Sequence, residues 1–191
     1  GVTEYLASKC NLKKNTEVMM IYNNKLSVCP LTTHIDIKDI SNNIKSEIII
    51  KKIKSINSWF KRHLNRKPKI GVLGLNPHNA EFRENSEESR IIFPSIIKLK
   101  KSRIKVDGPL VSDTVFINEY KNYDIIVGMY HDQVLSPFKT IYKFDAINIT
   151  IGLKYLRVSP DHGIAKNLVG KNKANITSFM KSIEFVEKFK E

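Results

Sequence analysis

The sequence predicts an α/β fold, a sheet with helices packed against it. Three observations carry that prediction. Short apolar runs of strand length alternate with longer segments whose apolar residues recur at helical spacing. Pro, Gly and Asn separate the two kinds of segment. Most of the histidines fall in turn-like sequence just past the strand-like runs.

Glu17–Tyr22 is a continuous apolar run that reads as a buried strand, and Leu26–Leu31 reads as a second. Asp36–Ile44 is expected to be helical, with Thr33 or Asp36 near its start. In Ser46–Leu64, Ile49, Ile53, Ile56 and Phe60 recur at helical spacing with lysines between them, which predicts a longer amphipathic helix. Pro68 breaks that pattern, and Lys69–Leu75 reads as a fully buried strand. Ser86–Lys101 is a third helix, with Glu87 and Glu88 in the first turn, where carboxylates meet the positive end of the helix dipole. Asp107–Pro109 reads as a turn. A short helix over Ser112–Tyr120, strands over Tyr123–Met129 and Asp145–Thr150, and a closing helix over Asn175–Phe189 complete the pattern. There is no internal repeat, and the one soft boundary lies near Gly152.

Lys and Arg number 32 against 19 Asp and Glu, a net charge of +13. The lysines are spread along the chain among Ile and Asn, as in Ile48–Ile56, and no zinc knuckle, basic zipper or RNA-binding aromatic signature accompanies them. The expectation is therefore no nucleic-acid partner, and a positive field that favours a phosphorylated, carboxylated small molecule. No apolar run reaches bilayer length and no secretory pattern opens the chain, so a cytoplasmic protein without a membrane partner is expected. Gly1 in place of Met reads as a processed chain or a fragment. Cys10 and Cys29 have no metal-ligand spacing and are expected to be reduced, buried thiols.

Of five histidines, His63 sits in the lysine-rich helix and reads as a surface residue. His34, His78, His131 and His162 lie in loops, and in α/β sheets the carboxyl ends of strands are where ligands bind. Three imidazoles with an open position are a ligand set for a catalytic divalent metal, although a lone loop histidine is more often a surface or capping residue than a ligand. Asp113 could orient a ligand histidine, accept a proton or cap the helix that follows.

The motifs GLNPHNAE (74–81), DGPLVSDTVF (107–116), MYHDQ (129–133), NITIG (148–152) and RVSPDHGIA (157–165) resemble the 4-hydroxythreonine-4-phosphate dehydrogenase family in order and spacing. GVTEYL (1–6) and TTH (32–34) fit earlier motifs of that family. The resemblance implies that His34, His78 and His131 bind a divalent metal (Zn, Co or Mg), and that Thr3, Lys139, Asn148 and Arg157 contact substrate. Lys139 and Asp113 are the catalytic candidates. It also implies a homodimer with a shared active site and NAD or NADP as cofactor. The family motif reads GHTE where this chain has Val2, which removes a substrate-binding histidine. Asn79–Ala80 also departs from the family's usual Ala–Gly.

The tail HGIAKNLVGKNKAN (162–175) is similar to the adenine-side loop of isocitrate and isopropylmalate dehydrogenases, which implies that His162, Gly163, Ala165 and Asn175 line the dinucleotide site. With no GxGxxG, the cofactor would not bind in the Rossmann manner. The implied fold is an isocitrate/isopropylmalate-dehydrogenase-like α/β/α sandwich, incomplete at its N-terminus. Residues 1–150 would form a metal- and substrate-binding central domain, and 151–191 a segment returning to the cofactor-binding domain. The implied reaction is metal-dependent NAD(P) oxidation of 4-phosphooxy-L-threonine, in pyridoxal phosphate biosynthesis. A paralogue acting on a threonate or erythronate phosphate, and a non-catalytic remnant, are the alternatives.

Overall fold

The computed structural model describes residues 2–10, 17–163 and 165–189, with the side chains of 2–4 and 7 set aside. Seven strands form one mixed sheet: β1 (Val18–Tyr22), β2 (Ser27–Pro30), β3 (Ile70–Leu73), β4 (Val106–Leu110), β5 (Ile125–Gly128), β6 (Ile147–Ile151) and β7 (Arg157–Pro160). Their order is β4-β3-β5-β2-β1-β6-β7. The first four in that order are parallel, and the pairings of β2 with β1, β1 with β6 and β6 with β7 are antiparallel.

Both faces carry helices, which is the expected three-layer arrangement. On one face, Ile49, Ile53, Ile56 and Phe60 of α3 (Ser46–Leu64) pack with Ile96 and Leu99 of α4 (Phe93–Lys101) against Val18, Met20, Ile70, Val72 and Ile149. On the other, Val134, Leu135 and Phe138 of α6 (His131–Tyr142) pack on Met19, Ile21, Val28 and Ile126. Successive strand residues point to opposite faces, so each run of buried residues splits between the two cores. Asn65, at φ +49, closes α3 in the left-handed conformation that Asn tolerates.

Most predicted elements form near their predicted bounds. The helix expected over 36–44 is instead a 3-10 turn at Ile37–Asp39 followed by a short α2 (Ile40–Asn43). The one expected over 112–120 ends at Val115, and other segments differ as follows. Residues 107–109, read as a turn, lie inside edge strand β4, where the Gly108–Pro109 peptide is cis. Gly108 sits at φ +142, and a Cβ there would lie 2.3 Å from the Val72 carbonyl oxygen, so a turn residue serves a close strand approach instead. Helix α6 was hidden by Pro137, which lies within it. Strand β7 was hidden by its one apolar residue and terminal Pro160, features that suit an edge strand. A short helix, α1 (Val2–Lys9), was not foreseen either. The helix expected over 86–101 opens with a π-helical turn over Glu88–Ile92 before α4. The boundary expected near Gly152 falls at φ +99 in the turn from β6 to β7, within the single sheet. The closing helix is α7 (Thr177–Glu187), packed on β6 and β7 through Phe185 on the α3 side. No helix among the described residues is long and apolar enough to cross a membrane.

Candidate active site

Helix α6 packs chiefly over β2 and β5, and also meets Met19 and Ile21 of β1. Beside it, residues of β1, β6 and β7 floor a cleft of about 780 Å³ walled by α6 and the loop after β7. Strand register decides who faces it. Ile21 pairs with Asn148, which pairs with Ser159; Met19 pairs with Thr150, which pairs with Arg157. Side chains two apart share a face, so Met19, Ile21, Asn148, Arg157, Ser159 and, one residue past the strand, Asp161 all line the cleft.

His34 and His131 reach the cleft from adjacent parallel strands. Past β2, Thr32 ties the outgoing chain to β5: its N–H and Oγ1 both donate to the Met129 carbonyl, at 3.2 and 2.7 Å. Two residues later His34 faces His131, the first residue of α6, with ring centroids 5.9 Å apart. His131 Nδ1 lies 2.6 Å from an Asp132 carboxylate oxygen. A carboxylate on Nδ1 is the usual support for an imidazole that binds a metal through its other nitrogen. Two facing imidazoles fit a soft divalent ion as half of a coordination shell. Among the described residues, no three His, Cys, Asp or Glu side chains come close enough to hold a metal on this chain alone.

His78 is exposed and lies outside this cleft. Its loop after β3 is built with care. Residues His78 to Phe82 all lie at φ between +49 and +57, a left-handed turn that costs L-residues about 1–2 kcal/mol each. Two anchors hold it there. Glu88, fully buried, accepts from the Leu75 and Asn76 N–H groups at 2.7 Å each and from the Asn76 amide at 3.0 Å. Asn79 donates to the Pro109 carbonyl at 2.9 Å, and Gly74 leaves it room, since a Cβ there would lie 2.1 Å from Asn79 Oδ1. Glu88 thus acts as a buried loop anchor, a role that its place in a helix-opening acidic pair did not reveal.

Lys139, on the cleft side of α6, stands 3.3 Å from an Asp161 carboxylate oxygen, and an Arg157 guanidinium nitrogen donates to Thr150 Oγ1 at 3.2 Å. His162 and Gly163 line the rim. Ala165 and Asn175 are exposed away from it: Ala165 opens a 3-10 turn at φ +46, and Asn175 Oδ1 accepts from the Thr177 N–H at 2.9 Å where α7 begins. Asp113 lies in the first turn of α5 (Ser112–Val115), where Val111 and not Asp113 takes the capping position, and it does not line the cleft. Thr3 lies outside the residues whose side chains are described.

Two cleft-linked residues lie within the family motifs but were not singled out there. Gln133 bonds the Met129 N–H, the Gly74 carbonyl and Ser112 Oγ at 2.6–2.8 Å, tying together three loops at the carboxyl end of the sheet. Asp161 is 8% exposed, and its Oδ2 is buried with no hydrogen-bond partner among the described residues; Asn148 Oδ1 is in the same condition.

Fold and cleft together define an α/β protein built like the solved dehydrogenases of this architecture. The chain matches a 4-hydroxythreonine-4-phosphate dehydrogenase structure from Klebsiella pneumoniae with a TM-score of 0.82 and 34% identity, over 97% of this chain and 57% of that one. The family model described as pyridoxal phosphate biosynthetic protein PdxA matches residues 1–186, and the chain belongs to that family. A 4-hydroxythreonine-4-phosphate dehydrogenase of Aquifex aeolicus is 44% identical over 188 residues, which is 98% of this chain and 58% of that protein. A putative D-threonate 4-phosphate dehydrogenase of Oceanobacillus iheyensis is 37% identical over 186 residues, 96% of this chain and 55% of that protein. The chain therefore spans somewhat more than half the length of the curated relatives it matches.

Proposed function

We propose that this chain is the metal- and substrate-binding part of an NAD(P)-dependent dehydrogenase acting on 4-phosphooxy-L-threonine. The observation that carries the reading is the meeting of His34 and His131 at 5.9 Å in a cleft that also holds Lys139, Asn148 and Arg157. The secondary alcohol would lose its proton and pass a hydride to the oxidised dinucleotide. The resulting β-keto acid would then lose carbon dioxide to give 3-amino-2-oxopropyl phosphate. Lys139 and Arg157 suit the two anionic ends of the substrate: Lys as a point charge for phosphate, Arg as a planar fork for carboxylate. His34 and His131 would hold a divalent ion, which supplies positive charge beside the oxygen that becomes anionic. His78, exposed on a rigid and strained loop outside the cleft, suits the third ligand position in a second copy of the chain, which makes the site a shared one in a homodimer. His162 and Gly163 at the rim suit the dinucleotide side. Asp113 is proposed only as a support for the loops around Ser112, through its place in α5.

A second reading is a paralogue for D-threonate 4-phosphate. Val2 in the GHTE motif and the Oceanobacillus relative favour it. Divalent metal content by elemental analysis, beside a His131→Ala variant, tests the first step. Stoichiometric metal that disappears in the variant is expected; no metal in either protein would remove the metal-dependent reading. Assay of NAD(P)H formation with each phosphate ester then separates the two substrates.

A further inference from the structure

We infer that the end of the molecule opposite the paired histidines is a docking surface for the phosphate backbone of a nucleic acid duplex. His34 and His131 follow the carboxyl ends of β2 and β5; this surface lies at the amino ends of the parallel strands. Helices α3 and α4 pack in one core layer and both end there, each running through a short turn into the neighbouring strands β3 and β4. The two turns touch, since the Ile70 N–H donates to the Lys105 carbonyl at 2.9 Å. Residues 61–69 (KRHLNRKPK) and 98–105 (KLKKSRIK), separate in sequence, therefore form one surface.

These 17 residues hold ten of the chain's 32 cationic side chains and none of its 19 acidic ones. A general preference for lysine would spread the cations evenly, so composition does not explain the cluster. All ten are exposed. Among the described residues, the carboxylates that pair with them are two. Asp107 lies 3.9 Å from Lys69 and 3.4 Å from Lys100, and Asp124 pairs with Arg66. Helix dipoles favour cations in a last turn, which accounts for Lys61, Arg62, Lys98, Lys100 and Lys101. They do not account for Arg66, Lys67, Lys69, Arg103 and Lys105, which lie beyond the helix ends. Like charges gathered in this way repel, a cost that a polyanion removes. The apolar residues of the two segments settle which polyanion fits. Pro68, Leu99 and Ile104 are buried and Leu64 is half-buried, so a lipid surface meets no side chain to insert. An unstacked base likewise meets no exposed ring. A duplex presents one phosphate charge per about 1.7 Å of its axis, which matches a dense cationic surface with no element to read bases.

Fluorescence anisotropy of a labelled DNA duplex of about 20 base pairs and mixed sequence, titrated between about 50 and 200 mM salt, tests the inference. With about five phosphates engaged, log K should fall against log salt with a slope of about −4.5. The triple variant Lys67→Gln, Lys101→Gln, Arg103→Gln should weaken binding about tenfold or more at low salt and make the slope shallower by about 2–3. A control triple, Lys38→Gln, Lys45→Gln, Lys51→Gln, removes the same charge from exposed positions near the start of α3 and should change the slope by less than about 1. The wild-type slope needs no variant to fold. Absence of duplex binding at the lowest salt would overturn the inference. So would equal weakening by the two triples, which would reduce the effect to net charge. Binding to phosphatidylserine vesicles without binding to the duplex would overturn it in favour of a membrane surface.

Discussion

Cys29 illustrates how burial alone sets a residue's chemistry. It is fully buried on β2, and desolvation pushes its thiol up to about 12 despite the nearby Lys52 ammonium. The folded state therefore favours the neutral thiol. Its contribution to stability is complete below the unfolded thiol's value of about 8.5 and is lost as pH rises through the alkaline range. Cys10 is half-buried. Iodoacetamide at pH 8 should accordingly modify Cys10 and leave Cys29 unlabelled until denaturant is added, as mass spectrometry of the intact chain would show. Rapid labelling of Cys29 in the native protein would contradict the packing of β2. At the same scale, the expectation of two buried, reduced thiols holds for Cys29 and is relaxed for Cys10.

The loop after β3 is the element whose shape depends most on one distant side chain. Glu88 is the acceptor for two backbone N–H groups and one side-chain amide of Leu75 and Asn76. Glu88→Ala would leave those donors unpaired in a half-buried site and cost about 3 kcal/mol. For a domain of this size that corresponds to a melting temperature lower by roughly 6–12 °C, measurable by calorimetry. Gly74→Ala should act through the same loop, since the added Cβ displaces Asn79 from its bond to Pro109; overpacking of this kind costs about 1–3 kcal/mol. A melting point unchanged in both variants would mean that the left-handed turn is not held as described. These anchors also explain how five residues other than glycine persist at positive φ: the surroundings over-determine them.

At the scale of the whole molecule, the proposed site is complete only across two copies, with His34 and His131 from one and His78 from the other. Random mixing of His78→Ala and His131→Ala chains would make half of all dimers mixed, and each mixed dimer would hold one intact site. The mixture should recover about one quarter of the wild-type metal content, while each variant alone has none. Elemental analysis after co-expression reads this directly. No recovery in the mixture would place all three histidines on one chain, whereas full metal content in His78→Ala alone would remove His78 from the set.

Local pattern was enough for much of this protein. The buried strands, the long helix at Ser46–Leu64 and the three layers were legible because apolar spacing is written in consecutive residues. The family motifs marked His34, His131, Lys139, Asn148 and Arg157, and these residues line one cleft. Tertiary structure alone decided the rest. Residues 107–109 became a strand because β3 offered hydrogen-bond partners to a segment whose own residues favour a turn. Residues 157–160 became a strand because β6 was available as a neighbour. Glu88, Gln133 and Asp161 took their roles from groups that are mostly distant in the chain, and nothing in their immediate sequence distinguishes a buried polar side chain from a solvated one. Pairing across the sheet is a non-local free energy, set by which strands lie side by side. The sequence determined which segments could form strands and helices; the packed sheet determined which polar atoms were left facing the cleft.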